Sequence, residues 1–371
     1  MKLVANVASG IESVSKKELI NLGYQPKVDN GRIYFDGDYE DIAKTNLWLR
    51  SVDRIQIVLA NFKVLSFEEL FDHIYEISWE EIIPINGKII VNARSKLSKI
   101  FSLSDIQSIS KKAIIKKLQT IYHRQSHLPE TGAEYRINVR LEKNLAEVWL
   151  DTTGDSLFKR GYRIEKGTAP LKENLAASLI MLTNWNAEMP LIDPMTGSGT
   201  IAIEAALIGA NIAPGLKRDF LFNHFAYVNS KLLENQKNAA KEVINRKVNL
   251  NIFASDINQN MIEISQNNAH GAGIFNLIHF KQLALRDLNV PNESGVIIIN
   301  PPYGERMGES KQAHLIAKEI GNKFIPLTKW SKYIITSDLD FEEFYGMKAT
   351  KKRKLFNGAI RTDYFQFWAK N

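Results

Sequence analysis

The chain has 371 residues, a formal net charge of +7 and 44% hydrophobic content, enough apolar material for two or three folded units. It contains no cysteine, which excludes disulfides, thiolate metal sites and methylation at pyrimidine C5 through a cysteine adduct. No apolar run approaches the ~18 residues that span a bilayer, and Met1 to Asn6 is too short and interrupted for a secretory signal, so a soluble cytoplasmic protein is expected.

From residue 1 to about 65, strand-like runs at Leu3–Val7 and Arg32–Phe35 and a helical stretch Ser13–Leu22 closed by Gly23 predict a small α+β unit. A second unit is expected over 66–155. It opens with an acidic helix and continues with a strand at Lys88–Ala93, a capped helix from Ser104, and strands at Tyr135–Leu141 and Ala146–Leu150. On the capped helix Ile106, Ile109, Ala113, Leu118 and Ile121 fall on one side at 100° per residue, while Lys111, Lys112 and Lys116 fall on the other. With Lys96 and Lys99 just upstream, this lysine crest is a candidate phosphate-binding surface; an ordinary solvated helix face has the same signature. His123 and His127 have ligand spacing but no acid or third ligand beside them, so they read as a solvated helix end or loop, and no metal is expected.

Residues 156–166 read as a linker. From 167 to 371 strand and helix alternate, which predicts a doubly wound sheet with strands at Leu191–Asp193, Ile252–Asp256, Ile278–Leu283, Val296–Ile299, Tyr333–Thr336, Thr350–Phe356 and Thr362–Phe367. The last two, joined by Asn357-Gly358, form an expected antiparallel hairpin. Lys348, Lys351, Lys352, Arg353, Lys354 and Arg361 cluster there, as a second basic surface or as lysines protecting a sheet edge. A long insertion, about Gly209 to Leu250, carries Ala213-Pro214-Gly215 and Phe220, Phe222 and Phe225, either a cap over the site or aromatic packing onto the core.

Ligands of such sheets bind at the carboxyl ends of the strands, where three signals fall. Asp193-Pro194-Met195-Thr196-Gly197-Ser198-Gly199-Thr200 links a strand to a helix, the order that lets backbone approach a nucleotide-like ligand. Ala202 stands where a dinucleotide fingerprint would have its third glycine, which argues against a pyrophosphate site. Asp193 suits an ammonium group. Asp256 can accept both hydroxyls of a ribose, and Ile257 can cover an adenine face. Third, Asn300-Pro301-Pro302-Tyr303 follows the apolar run Val296–Ile299. The Asn oxygen and the Pro301 carbonyl can each accept an N–H of a nucleobase amine, the prolines stiffen the turn, and Tyr303 can stack on the base. Taken singly, the glycine turn is also an ordinary strand-to-helix turn, and the tetrapeptide an ordinary rigid turn.

These words, with Lys159-Arg160-Gly161-Tyr162-Arg163, Ala169-Pro170-Leu171-Lys172-Glu173-Asn174, Ala213-Pro214-Gly215 and Gly304-Glu305-Arg306, resemble those of the THUMP-domain ribosomal RNA guanine-N2 methyltransferases. The resemblance covers nearly the whole chain. It implies a ferredoxin-like domain over 1–65, a THUMP RNA-binding domain over 66–155 and a Rossmann-like class I methyltransferase domain over 167–371, with a seven-stranded sheet ending in an antiparallel hairpin. It further implies S-adenosyl-L-methionine as cofactor, held by Asp193, Pro194, Thr196, Gly197, Ser198, Gly199, Asp256 and Ile257, with Lys172, Glu173 and Asn174 near its methionine end. Asn300, Pro301, Pro302 and Tyr303 would hold the target guanine, and Lys111, Lys112, Lys116, Lys96 and Lys99 would contact large-subunit rRNA or its assembly intermediate. Two departures stand out: Thr196 replaces the family's usual Cys, and Ala284 stands where relatives often carry an Asp for the adenine amine. Relatives with a second, guanine-N7-type module are longer, so one activity is expected. The rival readings are a tRNA guanine-N2 enzyme, an adenine-N6 DNA methyltransferase and a catalytically idle RNA-binding assembly factor.

Overall fold

A twelve-residue strand organises the amino-terminal half. In the computed structural model, which describes residues 1–163, 171–291, 293–302 and 309–370, the elements run β1 (Lys2–Val7), α1 (Glu12–Asn21), β2 (Lys27–Asp29), β3 (Arg32–Asp36), α2 (Tyr39–Trp48), β4 (Val52–Lys63), α3 (Phe67–Tyr75), β5 (Lys88–Lys96), α4 (Leu103–Ile121), β6 (Glu134–Glu142) and β7 (Leu145–Asp151). Beginning at Val52, β4 pairs with β1; from Gln56 to Lys63 it pairs with β7, with a register shift between Val58 and Ala60. The result is one seven-stranded sheet, ordered β2-β3-β1-β4-β7-β6-β5. The two expected amino-terminal units therefore share a continuous sheet and one apolar core running from Leu3 to Val148 and beyond.

Side-chain caps start α2 and α3, at Asp38 and Ser66, and the helix Gln259–Ala272, at Asn258. Asp38 and Asp41 close a reciprocal capping box at α2, each side chain accepting the other's amide at 3.0 and 2.9 Å. Helix α4 departs from expectation at both ends. It starts at Leu103, and the Ser102 and Ser104 hydroxyls pair with each other at 3.3 Å instead of capping. Its buried stripe is Ile106, Ser110, Ala113, Ile114 and Leu118, while Ile121, expected on that stripe, is exposed.

The carboxyl-terminal half contains α5 (Glu173–Met181), β8 (Leu191–Asp193), α6 (Thr200–Gly209), α7 (Leu232–Glu242), β9 (Ile252–Asp256), α8 (Gln259–Ala272), β10 (His279–Gln282), β11 (Gly295–Ile299), α9 (Glu309–Phe324), β12 (Trp330–Thr336), α10 (Phe341–Tyr345), β13 (Lys351–Asn357) and β14 (Ile360–Phe367). Strand order is β10-β9-β8-β11-β12-β14-β13. The first five strands are parallel, and β14 runs antiparallel to both neighbours, to β13 because the Asn357-Gly358 turn joins them as a hairpin. Strand β11 is buried throughout, which its run of Val and Ile permits because apolar residues pack on both faces: Val296 and Ile298 on one, Ile297 and Ile299 on the other.

The halves are joined by buried structure, and this corrects the expectation of a linker over 156–166. Over 156–163 three side chains anchor that stretch in the interior, Leu157, Arg160 and Tyr162 at 2%, 3% and 3% exposed, while Lys159 and Gly161 between them are exposed. Arg160 pairs with the fully buried Glu204 of α6 and donates to the carbonyls of Leu157 and Arg50. The insertion after α6 is no cap over the sheet's carboxyl edge either. Phe220, Phe222 and Phe225 pack into the core of the amino-terminal half, Phe225 stacks on Tyr135 at 4.8 Å, and Phe222 and Leu221 donate backbone bonds to Thr152 and Thr153. No helix among the described residues is long and apolar enough to cross a membrane.

Candidate active site at the carboxyl edge of the second sheet

Strand β8 lies between β9 and β11, the position at which the strand order reverses, so a crevice opens above its end. Register places the three expected groups there together. Asp193 ends β8 opposite Ala254, and Asp256 lies two residues farther along β9. On the other side Ile192 is level with Ile297, so Asn300 follows β11 just beyond the level of Asp193. The glycine loop spans from the end of β8 to the first turn of α6. Pro301 is buried and Pro302 exposed; Tyr303, Gly304-Glu305-Arg306 and Ala169-Pro170 lie outside the described residues.

The loop is shaped by its own residues. Gly197 and Gly199 adopt φ of +51° and +83°, a region that disfavours any side chain, and a Cβ on Gly199 would stand 2.9 Å from that of Ser265. Thr196 donates its amide to Ser255 at 2.9 Å and its hydroxyl to Asp193 Oδ2 at 2.9 Å. The Gly197 amide donates to Asp256 Oδ2 at 3.0 Å, and Asp256 Oδ1 accepts the amide of Asn258 at 2.9 Å. Asn268 of α8 holds the Ser198 carbonyl at 3.1 Å. Thr196 thus preserves the turn and adds a bond to Asp193.

Asp193 is electrostatically unusual. It is 1% exposed, and burial, reinforced by the neighbouring Asp256 and opposed by the Thr196 hydroxyl, pushes its carboxyl up to about 7. Its Oδ1 is sealed from solvent with no well-formed hydrogen bond. An orphaned acceptor on a reluctant anion fits a ligand that brings positive charge or N–H donors, and the amino-acid ammonium of an S-adenosylmethionine-like ligand supplies both. Ile257, 69% exposed beside Asp256, leaves an apolar surface for an adenine ring.

Arg163 holds this site together and was given no role by the sequence. Its guanidinium donates to Glu173 at 2.8 Å, to the Leu171 carbonyl at 3.2 Å, and to the Ser198 and Thr200 hydroxyls at 3.2 and 3.1 Å. It ties the start of α5 to the glycine loop. Burial raises the Glu173 carboxyl, and Arg163 opposes that rise. The only advance signal was Arg163's place in the Lys-Arg-Gly-Tyr-Arg word.

Other expected residues are dispersed. Lys172 does not face the glycine loop: its ammonium lies 4.9 Å over the Phe158 ring, and with Asn174 it lines a separate cavity shared with the amino-terminal half. Lys112 and Lys116 are exposed along α4, as are Lys96 and Lys99, but Lys111 is paired with Glu130 at 2.9 Å and is less available to a phosphate. In the hairpin cluster Lys352 meets Glu342 at 3.5 Å and Arg353 donates to the Gly10 carbonyl at 2.8 Å, so part of that basic surface serves to dock the halves. A cavity of about 580 Å³, lined by Leu207, Pro214, Lys217 and Phe275, lies at the opposite edge of the sheet, near the carboxyl ends of α6 and α8.

Comparison with known proteins agrees with this architecture. Residues 160–366 match the RMKL-like methyltransferase domain, residues 2–56 the RlmL ferredoxin-like domain and residues 65–151 the THUMP domain. The chain is 49% identical, over 99% of its length and 96% of the relative's, to a Bacillus subtilis (strain 168) protein named "Putative RNA methyltransferase YpsC". It is 33% identical over 95% of its length to the ribosomal RNA large subunit methyltransferase K/L of Psychromonas ingrahamii, of which it spans 48%. The crystal structure of SMU.472, solved in complex with SAH, superposes with a TM-score of 0.95 at 47% identity, covering 100% of this chain and 98% of that one. With its ferredoxin-like and THUMP regions ahead of a doubly wound catalytic sheet, the chain belongs to the RMKL-like methyltransferase family.

Proposed function

We propose that the protein transfers the methyl group of S-adenosyl-L-methionine to the exocyclic N2 amine of a guanosine in large-subunit ribosomal RNA. The observation that carries this reading is the adjacency of β8 and β11: the glycine loop with its buried acid and the Asn300-Pro301 acceptors leave one sheet edge on neighbouring strands. Asp193, Thr196, Gly197, Ser198, Gly199, Asp256 and Ile257 hold the cofactor, and Arg163 and Glu173 fix the loop. Asn300 Oδ1 and the Pro301 carbonyl accept the two amine protons, which turns the nitrogen lone pair toward the donor methyl. The methylated amine is acidic enough to lose its proton without a dedicated base, so positioning supplies most of the rate. Support for RNA comes from the THUMP match and from relatives named as RNA and ribosomal RNA methyltransferases; the exposed Lys112 and Lys116 offer it a phosphate-binding surface.

The test is methyl incorporation from labelled S-adenosylmethionine into 23S rRNA, followed by nucleoside mass spectrometry. N2-methylguanosine is expected, and none with Asn300→Ala. N6-methyladenosine, or product only on tRNA or duplex DNA, would reject the assignment.

A further inference from the structure

Beside the glycine loop a second cavity, of about 320 Å³, is built from both halves of the molecule: Ala8, Ser9, Ile11 and Asp53 from the amino-terminal half, Lys172, Asn174 and Leu175 from the start of α5, and Phe356 and Gly358 from the tip of the hairpin. Its place follows from the topology. The start of α5 is tied through Arg163 to the glycine loop, and β14, which begins at that tip, runs antiparallel to β12 with Thr336 opposite Asp363. The cavity therefore opens at the same sheet edge as Asp193 and Asn300.

Its polar groups are prepared for a partner. Asn174 is 3% exposed, yet its Oδ1 is buried with no hydrogen bond, while its Nδ2 donates to Asp53 Oδ1 at 3.0 Å. That bond occupies the amide nitrogen and leaves the Asn174 oxygen as an acceptor without a partner, on a residue that lines the cavity together with Asp53. Lys172, an ammonium poised over Phe158, adds a donor, and the half-buried Phe356 adds an aromatic surface. A buried acceptor left without a partner is unfavourable, and a ligand donor would satisfy it.

We infer that this cavity binds a guanine base of the RNA substrate, with Asn174 Oδ1 and the Asp53 carboxylate accepting its N1–H and N2–H and Lys172 donating to O6. Guanine alone among the four bases presents one acceptor followed by two adjacent donors along its Watson–Crick edge; adenine offers an acceptor where Asn174 needs a donor, and uracil offers a carbonyl where Asp53 needs one. The volume lies near the lower end of the ~300–1,000 Å³ of small-ligand sites, suited to one nucleoside. Residues of the ferredoxin-like region would thus take part in base recognition. The inference rests on the RNA reading above for its substrate but not on the role of Asn300.

The probes are 5′-GMP, 5′-IMP and 5′-AMP, titrated against the full chain by calorimetry or ligand-observed NMR with S-adenosylhomocysteine present. GMP is expected to bind in the millimolar range or better, IMP, which lacks the N2 amine, roughly 5- to 150-fold more weakly, and AMP not measurably, since one lost pair costs about 1–3 kcal/mol. Asp53→Asn should remove the preference for GMP over IMP, and Asn174→Ala should weaken GMP at least fivefold; thermal melting of both variants controls for folding, and Asp53→Asn keeps the side chain's shape. Equal binding of the three nucleotides, no GMP binding at 10 mM (~2.7 kcal/mol), or an unchanged preference in folded Asp53→Asn overturns the assignment. A protein that passes these tests yet leaves rRNA unmethylated would refute the proposed reaction and not this site; one that methylates rRNA without discriminating the nucleotides would refute this site alone.

Discussion

The raised carboxyl of Asp193 makes cofactor binding dependent on pH. In the ligand-free protein it titrates at about 7 instead of 3.8, a rise equivalent to about 4 kcal/mol held against the ionised form. A cationic ammonium at Oδ1 favours the carboxylate, so ligand binding expels the proton. Below pH 7 affinity should therefore rise nearly tenfold per pH unit and then level off, a gain of roughly 15-fold from pH 5.5 to pH 7. The ligand's own amine, with an ordinary value near ~8, keeps its charge throughout that window. Calorimetric titration with S-adenosylhomocysteine in buffers of different ionisation heat measures both quantities; proton release should approach one at pH 6 and about one half at pH 7. Asp193→Asn should bind more weakly and without pH dependence. The stability consequence has a definite sign. Between about 4 and 7 the folded chain holds a proton that the unfolded chain has lost, so this group's contribution to stability falls as pH rises through that range and stays lost above 7. The thermal shift produced by the ligand should accordingly be larger at pH 8 than at pH 6. Affinity constant within twofold from pH 5.5 to 7 would refute the reasoning.

Three further outcomes follow from particular contacts. Gly199→Ala combines φ of +83° with a Cβ 2.9 Å from Ser265, so cofactor affinity should drop at least tenfold, about 1.4 kcal/mol or more, in the same calorimetric titration. Arg163→Gln removes the cation that joins Glu173 to Ser198 and Thr200; weaker cofactor binding is expected with RNA affinity unchanged, measured by filter binding, and equal loss of both would count against the assignment. Phe222→Ala empties a fully buried site in the amino-terminal core from a residue that belongs in sequence to the catalytic half. It should cost about 3–5 kcal/mol in denaturant unfolding.

Much of the site was legible because it consists of backbone-dictated words. Gly197 and Gly199 are glycines because their φ values demand it, and Asp193, Asp256 and Asn300 each end or follow a short apolar strand, so order along the chain predicts position at one edge. Arg163 was not legible, because its four acceptors lie between 8 and 37 residues away and no local pattern encodes them. Lys172 and Asn174 adjoin Glu173 in sequence, yet a helix start points successive side chains in different directions. Glu173 turns to the loop and the other two to the cavity with Asp53.

The sequence by itself determined the strand and helix alternation, the glycine loop and the family, since each depends on neighbours a few residues apart. Tertiary structure alone decided that β4 fuses the two amino-terminal units into one sheet, that Phe220, Phe222 and Phe225 cross to the other half instead of capping the site, and that Arg160 buries its charge against Glu204. Apolar side chains and buried charges carry no address: they settle wherever surface can be removed from water or a counter-charge met, and only the folded chain fixes where that is.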